Sequence, residues 1–405
     1  MTAKQSREIE VKGDTDKGFE PVRRAFARAQ AEDDGGAQLC VYRHGRMVVD
    51  LWTGRDPIND RPYAADTLTV LASCSKGLTA TAAHMLVERG LLDLAAPVAR
   101  YWPEFAANGK SEIPVSDLLA HRAGLMAFPA DSGIALAQML DWDRATGALA
   151  AMAPFWRPGT AIAYHTMTYG FLVGEVVRRV DGRSLGRFFA DEIAAPLHLD
   201  LWIGLPEREE ARVAPQFSRG PEVTSEQMAD TFRELGIDFA TPLAKAILAS
   251  VTGAKEANRF LNSRAAHAAE MPAANAMGNA RSLARMYAAT IGEVDGVRLL
   301  TSKTVAQARV SQIDGLPAPD PLDKLGAGDH PLRFGLGYEL SRSAVPMLGD
   351  GSFGHSGAGG RVGFAHPESG IAVGYACNNM GWDYLLGPDA RWGPWTKALR
   401  KAVEI

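Results

Sequence analysis

Along most of the chain, apolar residues recur with a helical rhythm, and only the two ends carry the short, dense apolar runs of strands. Residues 38–42 and 47–52 are β-prone runs around Arg43-His44-Gly45-Arg46, whose glycine suits a turn, so they predict a hairpin. Before it, residues 20–31 are spaced for an amphipathic helix. From Ser73 the texture changes. Residues 77–92 are rich in Ala, Leu and Met, with Gly90 as a stop signal near their end. Further helices are predicted at 115–121, 170–180, 185–193 and 280–291. Residues 206–275 are irregular and charged, and read as an elaboration that roofs a cleft. Residues 313–333, rich in Pro, Gly and Asp, read as a surface loop. Residues 335–340, 351–356, 361–365 and 370–377 then predict an antiparallel meander, and 392–403 a closing helix.

Strands at both ends with helices between them predict an α/β (α+β) fold, an antiparallel sheet flanked by helices. The sheet domain is expected from residues 20–75 and 290–405, after a polar tail at 1–19. A mostly helical domain, 76–289, is expected as an insertion, with the cleft elaboration at about 206–275. The length of 405 residues accommodates two such units.

Composition narrows the function mainly by exclusion. With 46% hydrophobic and 22% charged residues the chain is of ordinary globular type. Forty-three basic against 47 acidic residues give a net charge of −4, so no sequence-wide attraction to nucleic acid or anionic lipid is expected. No apolar run of about 18 residues predicts a membrane span. The polar start lacks the apolar core of a secretory signal, so the expected location is cytoplasmic. Cys40, Cys74 and Cys377 stand at unrelated spacings, and the histidines form no ligand pattern. Neither a metal nor a cofactor is expected.

The first chemical candidate is Ser73-Cys74-Ser75-Lys76. On a helix, residues three apart share a face, so Ser73 and Lys76 can meet. A serine at a helix N-terminus also keeps its own N–H free beside the positive end of the dipole. A lysine made neutral by burial could take the serine proton. Cys74, turned about 100° away on the helix, reads as core. By chance alone, a chain of this composition holds a Ser-x-x-Lys about every second time, so the motif needs company.

Two later segments supply it. Pro158-Gly159-Thr160-Ala161-Ile162-Ala163-Tyr164-His165-Thr166 precedes Gly170-Phe171-Leu172-Val173-Gly174, and Gly354-His355-Ser356-Gly357-Ala358-Gly359-Gly360 lies on a late β run. In this order and spacing the chain resembles the serine β-lactamase and penicillin-binding-protein superfamily. It is most similar to class C β-lactamases and their related carboxylesterases, the family VIII esterases. The resemblance runs from about residue 20 to the C-terminus. It takes in Leu118-Leu119-Ala120-His121-Arg122-Ala123-Gly124-Leu125, the segment 278–285, and Phe334-Gly335-Leu336-Gly337-Tyr338.

The resemblance implies a β-lactamase/transpeptidase-like fold and a set of roles. Ser73 matches the acylated nucleophile, Lys76 its base, and Tyr164 the tyrosine that passes protons to the leaving group. The backbone N–H groups of Ser73 and Ala358 match the oxyanion hole. His355, Ser356 and Gly357 occupy the Lys-Thr-Gly strand, and with Thr166 and His165 they are the expected substrate-binding residues. Two departures stand out. Thr166 replaces the usual asparagine, and His355 replaces the lysine that recognises a substrate carboxylate. A neutral imidazole offers less charge to an anion at pH 7. Both changes move the expectation from β-lactamase or D-alanyl-D-alanine carboxypeptidase toward a carboxylesterase acting on a small-molecule ester. An acyltransferase to an alcohol or amine, and a non-catalytic binding protein, are the alternatives. The oligomeric state is not legible.

Other signals have plainer readings. Gly182-Arg183-Ser184-Leu185-Gly186 matches a nucleophile elbow, but helix rather than strand is expected before it. Gly349-Asp350-Gly351-Ser352-Phe353-Gly354 matches a dinucleotide fingerprint, but strand texture follows, so it reads as a turn. His121 reads as a loop residue bonded to nearby backbone. Trp156, Phe171, Tyr338 and Trp382 could line an apolar pocket, or serve as core.

Overall fold

A computed structural model describes residues 9–218, 224–325, 331–381 and 387–405. In chain order its strands are β1 (Lys12–Thr15), β2 (Gly36–Arg43), β3 (Arg46–Asp56), β4 (Arg61–Pro62), β5 (Thr69–Val70) and β6 (Leu201–Trp202). They continue with β7 (Met277–Gly278), β8 (Glu339–Leu340), β9 (Phe353–Gly357), β10 (Arg361–His366) and β11 (Ile371–Cys377). The main sheet runs β1-β3-β2-β11-β10-β9-β8, with β4 on the side of β3, and its pairings are antiparallel. Strand β2 from one end of the chain therefore pairs with β11 from the other, Leu39 opposite Tyr375.

Burial on both faces explains why the central strands read as apolar runs rather than alternating ones. Every residue of β11 is buried, and all of β2 but Arg43. Leu39, Val41, Val373 and Tyr375 point to one face, where they pack with Val22 and Phe26 of helix Glu20–Gln30 and Trp395 and Leu399 of helix Trp392–Ala402. Cys40, Tyr42, Ala372 and Ala376 point to the other, into the core that holds helices Cys74–Glu88 and Ala280–Ile291. Two glycines let the last helix sit close. A Cβ on Gly374 would lie 2.2 Å from the carbonyl oxygen of Ala280, and one on Gly363 2.6 Å from Leu283 Cγ.

Several expectations are refined. Within the stretch read as a polar tail, Lys12–Thr15 forms an edge strand on β3. The strand expected at 335–340 is confined to Glu339–Leu340; Gly337, at φ +88°, turns the chain before it. The helix expected at 185–193 is α-helical over Leu185–Phe189 and then widens into a π-helical turn at Ala190–Ala194. The elaboration carries helices Ser225–Glu234, Pro242–Ser250, Ala254–Leu261 and Arg264–Ala268. A second sheet, β5-β7-β6, had no sequence signal, because strands of two residues are too short to show a period. Ser184 is an N-cap that accepts the Arg187 N–H at 3.2 Å, after a helix, so it forms no elbow. No helix among the described residues is long and apolar enough to cross a membrane.

Candidate active site

The nucleophile candidate sits where a strained turn meets a buried helix. Ala72, a non-glycine residue at φ +47°, precedes Ser73, the N-cap of Cys74–Glu88. Such a conformation costs on the order of 1 kcal/mol and persists only where surrounding packing fixes it. All residues from Cys74 to Leu86 are buried, so the helix is enclosed around its whole girth and cannot shift easily. Ser73 itself is half-buried, and its hydroxyl makes no capping bond. Instead Lys76 Nζ lies 3.3 Å from Ser73 Oγ.

Lys76 is fully buried and pairs with no carboxylate among the described residues. Its Nζ donates to Thr166 O at 2.7 Å and Ala273 O at 2.9 Å. A neutral amine has two N–H bonds and one lone pair. With both N–H groups placed on carbonyls, the lone pair is left for the Ser73 hydroxyl. Burial pushes the Lys76 pKa well below its ordinary value, which favours that neutral form.

Tyr164 closes the other side. Lys76 Nζ is 4.7 Å from its ring centroid, and Phe334 stacks on the ring at 5.8 Å. His121, at φ +60°, packs against the same ring at 4.9 Å, and its Nδ1 accepts the His165 N–H at 3.1 Å. His165 is fully buried. Its Nε2 accepts the Leu125 N–H at 3.1 Å, so Nδ1 carries the proton and donates to Ala163 O at 2.7 Å. Both ring nitrogens are thus committed to backbone, so the ring ties the Tyr164 loop to Leu125. Burial lowers its pKa to about 4 and holds His121 well below its ordinary value. Thr166 is exposed, while its carbonyl holds Lys76.

Strand β9 forms the third wall. His355 is buried, with its ring 6.1 Å from that of Tyr164 and 5.7 Å from Phe334. Nδ1 meets Ser356 O at 2.6 Å, and Nε2 has no partner among the described residues. Burial outweighs the carboxylate of Glu339 at 3.9 Å, and brings the His355 pKa down to about 4. The ring is therefore neutral at pH 7. The hydroxyl and N–H of Ser356 both donate to Glu339 Oε2, at 2.6 and 2.8 Å, so the side chain anchors the strand. Glu339 in turn pairs with Arg342 at 2.9 Å, both side chains being nearly inaccessible. Gly357 serves by its size, since a Cβ there would lie 2.5 Å from Leu71 O in the turn before the nucleophile. Ala358, the next residue, is exposed. Among the described residues, no acceptor takes the N–H of either Ser73 or Ala358.

Some participants were hidden in the sequence. The Ala273 carbonyl carries no side-chain signal at all, and nothing in the local sequence sets Glu339 and Arg342 apart. Among the pocket candidates, Phe171 and Tyr338 are fully buried core. Trp156 is half-buried, 6.2 Å from the His165 ring. Trp382 lies outside the described residues. A cleft of about 880 Å³ adjoins the site through Ile162 but is lined by none of the reactive groups. No group of side chains among the described residues could hold a metal ion.

A half-buried serine with a buried amine 3.3 Å from its hydroxyl and a tyrosine ring over that amine is the geometry of a serine-nucleophile, acyl-transferring class of site. Comparison with known proteins agrees. The beta-lactamase family pattern matches residues 22–392. The esterase/beta-lactamase LipL of Mycobacterium tuberculosis is 35% identical over 376 residues, 91% of this chain and 83% of that protein. A crystal structure of a family VIII carboxylesterase superposes with a TM-score of 0.81 at 33% identity, covering 97% of this chain and 100% of the other. A penicillin-binding-protein homologue from Caulobacter crescentus gives 0.80 at 32% identity, with 97% and 100% covered. The chain belongs to the beta-lactamase family.

Proposed function

We propose that the protein is a carboxylesterase that works through an acyl-enzyme on Ser73. The observation that carries this reading is the placement of Lys76 Nζ, 3.3 Å from Ser73 Oγ with its N–H directions held by Thr166 O and Ala273 O. Lys76 takes the hydroxyl proton as Ser73 Oγ attacks the ester carbonyl. The N–H groups of Ser73 and Ala358 hold the tetrahedral oxyanion, an interaction of a few kcal/mol in comparable sites. Collapse expels the alcohol, which takes its proton from the Tyr164/Lys76 pair. Water then attacks the acyl-enzyme by the same route and releases the acid.

The neutral His355 supports an uncharged ester over a substrate that carries a carboxylate, because no cation stands at that strand position. The printed names of the esterase relatives support the same substrate class. Three buried free thiols support a reducing, cytoplasmic setting. The test is Ser73→Ala on a p-nitrophenyl acyl ester. Activity should fall to background, and the wild-type protein should carry a mass adduct at Ser73; retained activity refutes the mechanism.

A second reading, acyl transfer to an alcohol or amine, draws on one observation. Phe232, Leu243 and Ile247 of the elaboration pack with Met126, Phe155 and Trp156, which builds an apolar wall beside the Tyr164 loop that would disfavour water. Product ratios with an added alcohol or amine pool distinguish transfer from hydrolysis.

A further inference from the structure

The turn after β9 is held from behind, one carbonyl at a time. Arg361 Nη1 donates to Ala358 O at 2.7 Å, Arg391 Nη2 to Gly359 O at 2.6 Å, and Trp392 Nε1 to Gly360 O at 2.8 Å. Gly357 O is taken as well, by the Gly360 N–H at 3.0 Å. Four consecutive carbonyls are therefore bound within the protein: the Gly360 N–H holds the Gly357–Ala358 peptide, which carries the Ala358 N–H, and Arg361 holds the next one, Ala358–Gly359. The two glycines are matched to the arginines. They stand at φ +82° and +106°, and a Cβ would lie 2.4 Å from Arg361 Nη1 at Gly359 or 2.2 Å from Arg391 Nη2 at Gly360.

The two guanidinium groups differ in one respect. Arg391 stands between two carboxylates, Asp389 at 2.7 Å and Asp33 at 2.9 Å, so this group carries a net negative charge. Arg361 is fully buried and meets no carboxylate among the described residues. Its other partners are Gln216 Oε1 at 3.3 Å and the Met380 sulfur, and its Nε is unpartnered. An unpaired buried cation is costly and is normally selected against unless something else needs its charge. A guanidinium does not escape by losing its proton.

We propose that Arg361 is a positioning residue for the oxyanion hole, which by holding the Ala358 carbonyl fixes the peptide next to the one that carries the Ala358 N–H, and sets a positive charge with no directly paired carboxylate behind the turn. The inference rests on the acyl-enzyme reading of Ser73 and Ala358. Neutral ground-state ester gains little from that charge, whereas the tetrahedral oxyanion gains its full attraction. The effect therefore falls on kcat rather than KM. At an effective dielectric of about 20 and a separation of several ångströms, the loss of one such charge corresponds to roughly a 10- to 100-fold fall in rate.

The experiment compares Arg361→Met, Arg361→Gln and Arg361→Lys in the full chain on p-nitrophenyl butyrate. It also records the infrared frequency of a ¹³C-labelled acyl carbonyl on Ser73, and the thermal midpoint. The Met and Gln variants should lose about 10- to 100-fold in kcat with KM nearly unchanged, and their acyl carbonyl band should move to higher frequency as polarisation weakens. Lys, which keeps the charge, should recover much of both. The Gln and Lys pair decides the matter if Met does not fold. Wild-type kcat and band position in the folded neutral variants, with only a lowered thermal midpoint, would overturn the proposal and leave Arg361 a structural residue. Absence of any Ser73 adduct in the wild-type protein would instead overturn the acyl-enzyme reading on which it stands.

Discussion

The ring of His121 braces that of Tyr164, with centroids 4.9 Å apart, while its Nδ1 accepts the backbone N–H of His165. One side chain thereby fixes both the tyrosine and the loop that carries it. His121→Ala would leave that buried N–H unpaired and open a cavity toward Tyr169 and Phe334. The expected cost is about 2–5 kcal/mol in urea unfolding. Loosening Tyr164 should also lower kcat by about 10- to 100-fold with KM little changed. Steady-state kinetics on the folded variant check this, and an unchanged kcat would mean that Tyr164 needs no brace.

The pH dependence of acylation should follow Lys76. As a base it must be neutral, so kcat/KM is full above its pKa and falls as the pH drops through it. Burial places that pKa well below the ordinary 10.5, so the acid limb should lie far below pH 10. Lys76→Met should reduce kcat/KM by at least about 10³-fold. A rate that only begins to rise near pH 10 would show a charged lysine and require another base.

Stability should fall in mild acid. His165 and His355 each have a folded pKa of about 4, below the ordinary value of 6.5. Between pH 6.5 and 4 the unfolded chain binds protons that the fold refuses, so stability is full above this window and is lost across it. Two such groups give a slope approaching ~2.7 kcal/mol per pH unit in mid-window. His84 and His121 shift in the same direction. Urea midpoints measured from pH 7 to 4 test the slope, and His355→Gln should reduce it by about one proton. A flat profile would mean that these rings accept protons in place.

The Glu339–Arg342 pair should be far more costly to break than to replace. Glu339→Gln removes the carboxylate that lies 2.9 Å from a nearly inaccessible guanidinium. A loss of about 3–5 kcal/mol is expected, and a second change, Arg342→Met, should recover part of it. Strand β9 should also loosen, because Ser356 loses its anionic acceptor. Denaturation of the single and double variants measures this; additive losses would show that the pair is not coupled.

Much of this molecule was legible in its sequence, and what was missed shares one physical cause. Helix Ala280–Ile291 has the bounds its periodicity predicts, and the hairpin β2–β3 turns at the glycine that marks it. Ser73, Lys76 and Tyr164 could be singled out because side-chain chemistry at a helical spacing is a local pattern. Backbone carbonyls have no such signature. Thr166 O and Ala273 O, which orient Lys76, could not be found by any residue-type search. The inward bonds of the His165 ring to Leu125 and Ala163 are likewise bonds to backbone. The bond from Ser356 to Glu339 was illegible because its two partners belong to different strands.

The pairing of β2 with β11 has a temporal consequence for synthesis. The nucleophile helix leaves the ribosome early, yet the sheet centre cannot close until residues 371–377 emerge, and the turn behind Ala358 waits still longer for Arg391 and Trp392. A nascent chain thus carries Ser73 and Lys76 long before it owns a place to hold an oxyanion. Reactivity should switch on only as the last residues dock, which spares the unfinished protein from acylation.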